Sequence, residues 1–537
     1  MKKLVIIILA VISVGAQSGT HDRLLVSLAQ EDPENPVAPK RPRLEELDID
    51  FAGHPHEGQA QAIVTPRMLS RLRTMGYGAT ILKEEADATY AIPDYFHFPE
   101  ETFDKLELLH ARYPDISVYD TVGFTQREKR PIVRFIISRN AGTREDEPSA
   151  LFNGMTHARE PLGNEICLYA IEQILEQYLL DDQVTRWVDS MEVHFVPILN
   201  VDGYQYMVEN ASSSPWWRKN LRDNDNNGGD FDRIRDGVDL NRNWDWNWSS
   251  GGSTDKTSWT YRGSSGGSEA EIKAMERIVL ERKYVVGISY HSYGQKIMRP
   301  YSINGKRPPD WPTIENVGAA LADAIGGYAK TSLAGYGQSS CWLHGAGGML
   351  DFLAETATEF IPGRNEMESE REKNYNGIKY LLERCFYAGI TGHVKDARTG
   401  DPLSAEVEVL GLTGDNVDPR TSDRQFGRFF RLLKKGTYSI EVSGSGYLSQ
   451  TVTGINVVDD SLTYVKVDLV PTSTMLAHRE RLTGRSAMEG ADVCLFSLNG
   501  RTINRPDRRT RATAIAPGVY LYTEAASRKA GMAFVAP

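Results

Sequence analysis

The sequence has few cysteines, no excess of positive charge and no apolar run of membrane-spanning length. Its 537 residues include four cysteines, Cys167, Cys341, Cys385 and Cys494, and no pair of them has C-x-x-C spacing. These cysteines provide neither a disulfide framework nor a cysteine metal cluster, and no bridge is predicted. The formal net charge of −11 argues against nucleic acid as a partner.

A membrane-spanning helix needs about 20 consecutive apolar residues, which no part of this chain supplies. Near the N-terminus, the apolar run from Leu4 to Ile12 follows Lys2 and Lys3 and precedes a small residue at Ala16. This order is typical of a cleaved secretory signal. Residues 1–16 are therefore predicted to be a signal peptide, and the mature protein is predicted to be exported and to have no transmembrane segment.

The rest of the chain divides into four parts. Residues 17–93 begin polar and rich in proline, and are predicted to be an extended leader or a small pro-segment with one amphipathic helix around Leu69 and Leu72. Strand and helix patterns alternate over 94–387, which predicts an α/β domain whose mixed, twisted sheet is flanked by helices. Short alternating strands predict small all-β domains, a β-sandwich at 388–471 and a β-rich piece at 472–537.

Within the α/β part, apolar periodicity places seven elements. The predicted strands are Ile132–Ile137, Ala150–Asn153, Met191–Leu199, Tyr284–Tyr290 and Met349–Ala354, and the predicted helices are Asn164–Leu179 and Glu269–Lys283. In the first helix, apolar residues recur at spacings of three and four, which indicates one face packed on the sheet.

His157 and Glu160 have H-x-x-E spacing directly after a predicted buried strand. A spacing of three allows both side chains to bind one metal ion. The same pattern occurs twice in polar stretches without a preceding strand, at His54 with Glu57 and at His97 with Glu100. Because functional residues of α/β proteins gather at strand ends, the strand favours His157 and Glu160.

His291 follows another predicted strand, Tyr284–Tyr290, and is expected at the same sheet edge. Two histidines and one glutamate form the ligand set of a catalytic zinc site. Such a site leaves one coordination position for water, and the ion lowers the pKa of that water.

Other charged side chains suit a substrate that carries a carboxylate. Asn241 and Arg242 follow the segment GVDL and offer planar, paired donors, and Arg218 is a second fixed cation. Glu355 ends the apolar segment MLDFLAE, where a carboxylate is costly unless it meets a cation or a polarised water. Glu355 is therefore a candidate general base.

Five segments over about 94–387 together resemble the M14 zinc metallocarboxypeptidases, the family of the digestive carboxypeptidases and bacterial carboxypeptidase T. In the family's order they are HARE from His157, WRKN around Arg218, GVDLNRNW around Asn241, HSYGQ from His291 and FLAET with Glu355. The resemblance implies the zinc carboxypeptidase fold and one Zn²⁺ bound by His157, Glu160 and His291.

The resemblance also implies roles for the other polar side chains. Arg218 would stabilise the oxyanion, Glu355 would be the general base, and Asp239 would orient His157, as metal-bound imidazoles require. The terminal carboxylate of the substrate would be held by three residues: Asn241, Arg242 and Arg159.

Tyr336 resembles the tyrosine that covers the bound substrate in this family. It lies closer to Trp342 than the family's tyrosine does to its Asp-Trp pair, and Cys341 stands in place of the Asp. No side chain from Tyr336 to Trp342 is acidic. Because a terminal Lys or Arg would be buried without a partner, a neutral or apolar terminal residue is predicted.

The loop Asp223–Asp232 begins like an EF-hand but has Ile234 where the twelfth-position Glu would stand. A calcium site and an ordinary acidic loop both remain open.

Two C-terminal parts resemble known accessory domains. GHVKDARTGDPLSAEVEV and KKGTYSIEVSGSGY resemble the carboxypeptidase regulatory-like, or transthyretin-like, domain. VCLFSLNGRTI and APGVYLYTE resemble the sorting domain of the bacterial type IX secretion system, and this implies a secreted or cell-surface protein. A second accessory β-domain is the alternative for the tail.

The predicted function is that of a secreted zinc metallocarboxypeptidase, which hydrolyses the last peptide bond of peptides or proteins with a free C-terminal carboxylate. Two alternatives are a zinc amidase for cell-wall stem peptides and a catalytically inactive zinc-binding surface module. The sequence does not indicate an oligomeric state.

Overall fold

The structure is a computed structural model. It describes residues 23–30, 42, 44, 47, 49–52, 58–84 and 92–472 (except 212, 229, 304, 334 and 415), and the backbone of four strands between 493 and 535. The predicted signal peptide, His54 and Glu57 lie outside the described residues. Among the helices of the described part, none is long and apolar enough to cross a membrane.

The described residues before 85, which were predicted to be an extended leader or a small pro-segment, form a small α/β unit. An antiparallel sheet of order β2–β3–β1–β4 carries one helix. The elements are β1 Leu24–Ala29, β2 Asp50–Phe51, β3 Gln59–Val64, α1 Pro66–Thr74 and β4 Gly78–Glu84. Alternate residues of β1 are buried, and the expected helix buries Leu69 and Leu72. The sequence alone did not indicate this sheet, because the alternating pattern of β1 is only six residues long and its partner strands β3 and β4 lie much later in the chain.

The α/β domain is built on an eight-stranded mixed sheet of order β11–β10–β12–β9–β7–β8–β6–β5. Its strands are β5 Ser117–Phe124, β6 Pro131–Ile137, β7 Ser149–Asn153, β8 Glu192–Val196, β9 Val286–Ser292, β10 Lys296–Arg299, β11 Ala329–Ser332 and β12 Leu350–Thr356. The central strands β8, β7, β9 and β12 run parallel. β7, β8 and β9 are buried throughout, as expected for parallel strands covered on both faces.

Helices cover both faces of this sheet. They are α2 Pro99–Arg112, α3 Leu162–Gln177, α4 Asp182–Ser190, α5 Val201–Glu209, α6 Ala270–Arg282, α7 Trp311–Ala324, α8 Ser339–Gly345 and α9 Arg364–Arg384. One core includes α3, α4, α7 and α9 against side chains such as Phe152 and Phe352. A second core packs α6 and α8 against the other face, with Leu151 and Trp342. The predicted fold class is confirmed.

The predicted elements are found with boundaries shifted by a few residues. Helix α3 begins at Leu162, directly after Pro161, and ends at Gln177 because Tyr178 has left the helical conformation. β9 and β12 each extend further than predicted, to Ser292 and Thr356. The last residues of these two strands are polar and include His291 and Glu355. Apolar periodicity alone therefore placed both strand ends too early.

The next domain is the expected β-sandwich. One sheet has the order β15–β13–β18 and the other β14–β16–β17. The strands are β13 Gly389–Asp396, β14 Glu406–Val409, β15 Arg428–Leu432, β16 Gly436–Ser443, β17 Gln450–Val457 and β18 Leu462–Leu469. Val407, Val442 and Val467 are fully buried between the sheets. Arg428 Nε donates to Asp146 Oδ1 at 2.8 Å and connects the sandwich to the α/β domain.

The backbone of the tail forms a further sheet of order β20–β19–β21–β22. Its strands are β19 Val493–Ser497, β20 Thr502–Asn504, β21 Gly518–Glu524 and β22 Lys529–Val535. Upstream, Cys167, Cys341 and Cys385 are buried and unbridged. The side chain of Cys494 lies outside the described residues.

Candidate functional site

The three predicted metal ligands meet at one edge of the sheet. His157 and Glu160 lie in the turn after β7, and His291 lies near the end of the adjacent parallel strand β9. The carboxyl ends of parallel strands point to the same sheet edge, so side chains distant in sequence converge there. His157 Nδ1 is 2.8 Å from Glu160 Oε1, and His291 Nδ1 is 2.9 Å from Glu160 Oε2.

This group has the chemistry of a zinc site. The Nδ1 atoms of His157 and His291 are 3.1 Å apart, and both face the carboxylate of Glu160. Zinc binds nitrogen and oxygen ligands at about 2.0–2.1 Å in a tetrahedral arrangement, in which ligand atoms lie about 3.3 Å apart. Burial and the nearby Arg218 lower the pKa of His157, which favours the neutral ring that binds a metal.

Asp239 and Arg218 lie directly behind His157. His157 Nε2 is 3.2 Å from Asp239 Oδ1, and Arg218 Nε donates to Asp239 Oδ2 at 3.0 Å. Burial disfavours the charge of Asp239, but Arg218 and His157 hold its pKa well below the usual range. Asp239 therefore fixes the imidazole ring of His157 and one edge of the Arg218 guanidinium.

Arg218 directs its Nη1 atom toward the metal group. Its Nη1 atom is 3.2 Å from His157 Nδ1 and 3.9 Å from Glu160 Oε1. A buried cation is costly unless anions surround it, and Asp239 and Glu160 are such anions. Arg218 can therefore donate to a negatively charged oxygen formed beside the metal ligands.

Glu355 lies beside His291 because β12 pairs in parallel with β9 and places these two residues opposite each other. Its Oε2 atom is buried and has no hydrogen-bond partner among the described residues. Burial raises the pKa of Glu355 to about 7, with His291 acting against the shift and Glu160 adding to it. A carboxyl group with a pKa near neutrality suits proton transfer.

Asn241 and Arg242 are positioned by the short 3-10 helix Leu240–Arg242. Asp239 caps this helix by accepting from the Asn241 N–H at 2.9 Å. The side-chain Oδ1 of Asn241 accepts from the Ser339 N–H at 2.8 Å, so its Nδ2 group is left to donate. Asp239 therefore orients both the predicted metal ligand His157 and the segment predicted to bind the substrate carboxylate.

Arg159 contacts a carboxylate that the sequence analysis missed. Asp50, from β2 of the N-terminal unit, accepts from Arg159 Nη1 and Nη2 at 2.9 and 2.7 Å. Asp50 Oδ1 is also 3.5 Å from Arg218 Nη1. Both Arg159 and Asp50 are buried. The N-terminal unit thus places a carboxylate between Arg159, predicted to bind the substrate, and Arg218, predicted to stabilise the oxyanion, and no local pattern around Asp50 indicates this pairing.

Tyr336 lies near the carboxylate-binding segment. Its Cβ is packed so closely on Gly251 that a methyl group on that glycine would come within 2.3 Å of it. The next residue, Gly337, has φ +65° and packs on the backbone of Arg242. The role of Tyr336 as the tyrosine that covers the bound substrate stays a prediction.

The remaining sequence patterns lie elsewhere. His97 pairs with Glu165 at 2.9 Å rather than with Glu100. In the acidic loop, Asp223 and Asp225 approach Asp236, a residue beyond the predicted segment. Asp236 Oδ1 accepts from the Asn224 N–H, and Asp223 Oδ1 accepts from the Asn226 N–H. Calcium binding by this loop stays untested.

A family model for zinc carboxypeptidases matches residues 103–375, about half of the chain, and this range includes the metal group, Arg218 and Glu355. The chain belongs to the zinc carboxypeptidase family. A second model, for the carboxypeptidase regulatory-like domain, matches residues 389–470. The predicted enzyme class, a zinc metallocarboxypeptidase hydrolase, and the resemblance of the sandwich are therefore confirmed.

Curated relatives and solved structures agree with this assignment. Metallocarboxypeptidase A of Trichophyton rubrum is 28% identical over 307 residues, 52% of this chain and 70% of the relative. Carboxypeptidase O of Bos taurus is 28% identical over 315 residues, 56% of this chain and 80% of the relative. The fold is similar to that of carboxypeptidase A from Helicoverpa armigera, with a TM-score of 0.56 and 21% identity, over 68% of this chain and 98% of that one.

Proposed function

We propose that this zinc carboxypeptidase removes the C-terminal residue from peptides with a free terminal carboxylate, with Glu355 as general base. The observation that carries the proposal is the meeting of four groups at one sheet edge: the His157–Glu160–His291 metal group, the guanidinium of Arg218, the buried carboxyl of Glu355 and the segment Asn241–Arg242. Each supplies a different requirement of peptide hydrolysis.

When bound by His157, Glu160 and His291, zinc supplies a Lewis acid that lowers the pKa of water and polarises a carbonyl group. Glu355 Oε2 takes the proton of the attacking water and later delivers it to the leaving amine. Arg218 Nη1 donates to the oxygen that gains negative charge. Asp239 holds both the His157 ring and Arg218 in place during these steps.

Asn241 and Arg242 make the enzyme an exopeptidase. A terminal carboxylate satisfies the Asn241 amide donors and the Arg242 guanidinium, whereas an internal peptide bond leaves that cation without an anion. Arg159 adds a further cation once Asp50 has left. No side chain from Tyr336 to Trp342 is acidic, which supports the removal of a neutral or apolar terminal residue.

We also propose that the N-terminal unit keeps the enzyme latent. Asp50 occupies Arg159 and lies beside Arg218, and Ala52 and Ile63 of the same unit pack with Trp216 and Trp259 near the cleft. While this unit is in place, a substrate carboxylate cannot reach Arg159. We further propose that residues 1–16 direct export of the protein and that the tail, residues 472–537, acts as a sorting domain. Mass spectrometry of the secreted protein would test both proposals, because it identifies the first and last residues of the mature chain.

The function is tested with matched peptides that end in a free acid or an amide, incubated with zinc-loaded protein before and after limited proteolysis. Stepwise loss of single residues from the free acids, abolished by a zinc chelator and restored by added zinc, is the expected result. Loss within the amidated peptides would contradict the exopeptidase assignment. Absence of cleavage in every condition would favour the specialised amidase or the inactive module.

Replacing Arg242 with methionine should lower kcat/KM for free-acid peptides at least about 30-fold, because removal of one partner of a buried charge pair has an effect of this size. The loss should appear mainly in KM, and the preference for acid over amide should shrink. The control Arg398→Met changes an exposed arginine of the sandwich. Equal losses on acid and amide peptides would show that Arg242 does not bind the terminal carboxylate.

A further inference from the structure

A second group of charged side chains lines a cleft between the α/β domain and the β-sandwich. Among the lining residues are Ser149, Glu192 and Leu350, which begin β7, β8 and β12. The metal group lies at the opposite edge of the sheet, and Glu355 is about 16 Å along β12 from Leu350. We call this space the interdomain cleft; it measures about 1040 Å³, part of it open to solvent. It is therefore separate from the site described above.

Three ion pairs compensate charges within the interdomain cleft. Arg282 Nη1 donates to both carboxylate oxygens of Glu192, at 2.9 and 2.8 Å. Two further pairs join the domains: Arg144 with Asp423, and Arg428 with Asp146. The basic residues of the cleft outside these pairs are Lys283 at the end of α6, and Arg420 and Arg431 of the sandwich.

None of these three cations has a carboxylate as a hydrogen-bond partner among the described residues. Lys283 Nζ donates to Thr421 Oγ1 at 2.9 Å, and Arg420 Nη1 donates to the Gly345 carbonyl at 3.0 Å. The side chain of Arg431 makes neither a hydrogen bond nor an ion pair within the described part of the chain. All three residues are half-buried. A cation that loses water without gaining an anion is destabilised.

Arg420 lies close to both of the other cations. Burial lowers the pKa of Lys283 and of Arg431, and the charge of Arg420 lowers both further. The pKa of Arg431 falls to about 10, so its guanidinium is still charged at neutral pH. Three positive charges therefore act on one region of the interdomain cleft.

Asp310 is the carboxylate of the cleft that acts on both arginines, and it already has a partner. Its Oδ1 atom is 3.2 Å from His344 Nε2. Burial disfavours the charge of Asp310, but His344, Arg420 and Arg431 hold its pKa below the usual range. His344 Nδ1 is buried and has no hydrogen-bond partner among the described residues. The three cations and Asp310 together leave a net charge of +2.

The two other unpaired acids of the interdomain cleft do not compensate this charge. Glu145 accepts from Asn140 Nδ2 at 2.9 Å, and Glu147 accepts from Ser138 Oγ at 3.0 Å. Neither acid acts on the pKa of the three cations. Burial also raises the pKa of Glu147 to about 7, so part of its charge is lost at neutral pH.

We infer that the interdomain cleft binds a phosphate group, free or carried as a monoester, between Lys283, Arg420 and Arg431. A phosphate monoester carries a charge of about −1.5 to −2 at pH 7, which balances the net charge of this group. The planar donors of two guanidiniums match phosphate oxygens, and the lysine ammonium adds a third contact. A carboxylate supplies only one charge. The ligand contacts residues of both domains and so holds the sandwich against the α/β domain.

Calorimetry tests this inference with the full-length, zinc-loaded protein in a phosphate-free buffer at fixed ionic strength. Inorganic phosphate and acetate are titrated separately. Phosphate should bind at least about tenfold more tightly than acetate, because it makes an additional charged contact. Equal affinities, or no binding of phosphate at millimolar concentrations, would overturn the inference.

Arg431→Met removes one guanidinium and should weaken phosphate binding at least about tenfold, the effect expected for one charged hydrogen bond. Lys283→Gln changes the contribution of the other domain and should weaken binding in the same way, which covers the case that Arg431→Met folds poorly. The control Arg398→Met changes an exposed arginine of the sandwich and should leave the affinity unchanged. Undiminished binding in Arg431→Met and Lys283→Gln contradicts the inference.

Arg242→Met distinguishes the interdomain cleft from the cationic segment at the metal edge, and should retain phosphate binding. Hydrogen exchange locates the ligand: phosphate should slow exchange of the amides at 343–348 and 419–422, but not at 239–243. Slower exchange at 239–243 alone, or loss of all binding in Arg242→Met, counts against the inference. Neither measurement uses peptide cleavage, so its outcome does not depend on the proposed hydrolysis.

Two further titrations identify the source of the phosphate group. Glucose 6-phosphate is a soluble monoester, and phosphatidylcholine vesicles that contain phosphatidic acid carry the same group on a lipid surface. Binding of either probe, lost in Arg431→Met, supports the inference and names the source. Binding of inorganic phosphate alone, lost in the same variant, assigns the interdomain cleft to the free ion. Binding of every probe that persists in Arg431→Met overturns the inference.

Discussion

Replacing Glu355 with glutamine should lower kcat/KM for free-acid peptides by about 10²- to 10⁴-fold, the usual contribution of a general acid–base group. The substitution keeps the size of the side chain and removes its ability to accept and return a proton. Because Glu355 is not one of the three side chains predicted to bind the metal, the variant should still bind zinc. Steady-state kinetics and metal analysis measure the two effects separately.

Glu160→Gln is the matched control for this experiment. It changes a second buried carboxyl of the same site, but one that contacts both histidines. That variant should lose zinc as well as activity, because a neutral amide is a weak zinc ligand. Activity of Glu355→Gln within a few-fold of the wild type would contradict the role of Glu355 as general base. Loss of zinc from Glu355→Gln would point instead to a structural role.

Replacing Asp50 with asparagine should raise the activity of the full-length protein about tenfold or more. The change removes the anion from the Asp50–Arg159 pair and leaves a buried, uncompensated guanidinium, which destabilises the docked N-terminal unit by about 3–5 kcal/mol. The pair is well formed, with both Arg159 Nη atoms donating to the carboxylate. Initial rates on a free-acid peptide, with and without the substitution, measure the release.

The control Glu84→Gln changes an exposed carboxyl of the same unit and should leave the rate unchanged. Cleavage of the chain between residues 84 and 92 should activate the native protein more than the Asp50→Asn variant, since the variant already has its cleft partly open. Equal activity of native and variant proteins, both before and after cleavage, would contradict latency.

The sequence was sufficient for the α/β class, the order of the main elements and the metal group. His157 and Glu160 follow a strand of buried apolar residues, and His291 follows another, so the strand pattern by itself places all three at carboxyl ends. The predicted strand ends were wrong where the strands end in polar residues. His291 and Glu355 lie inside β9 and β12 rather than after them, because the two strands remain paired as far as Ser292 and Thr356.

Several contacts of the candidate site depend on pairings between distant segments. Asp50 meets Arg159 across 109 residues, and nothing around Asp50 distinguishes it from other acids of a polar stretch. Asp351 of β12 contacts Ser340 of the Tyr336–Trp342 segment, and the sequence of that segment does not indicate this contact.

The sequence by itself therefore determined which chemistry the chain can perform, because spacing of three in a turn and the ends of buried strands are local properties. Only the tertiary structure decided which partners the buried carboxylates meet. Asp50 pairs with Arg159, and Asp351 accepts from the hydroxyl of Ser340, whose neighbour Ser339 contacts Asn241. The physical reason is that a buried charge is stabilised by whatever groups the fold brings within a few ångströms of it, and local sequence carries no record of those groups.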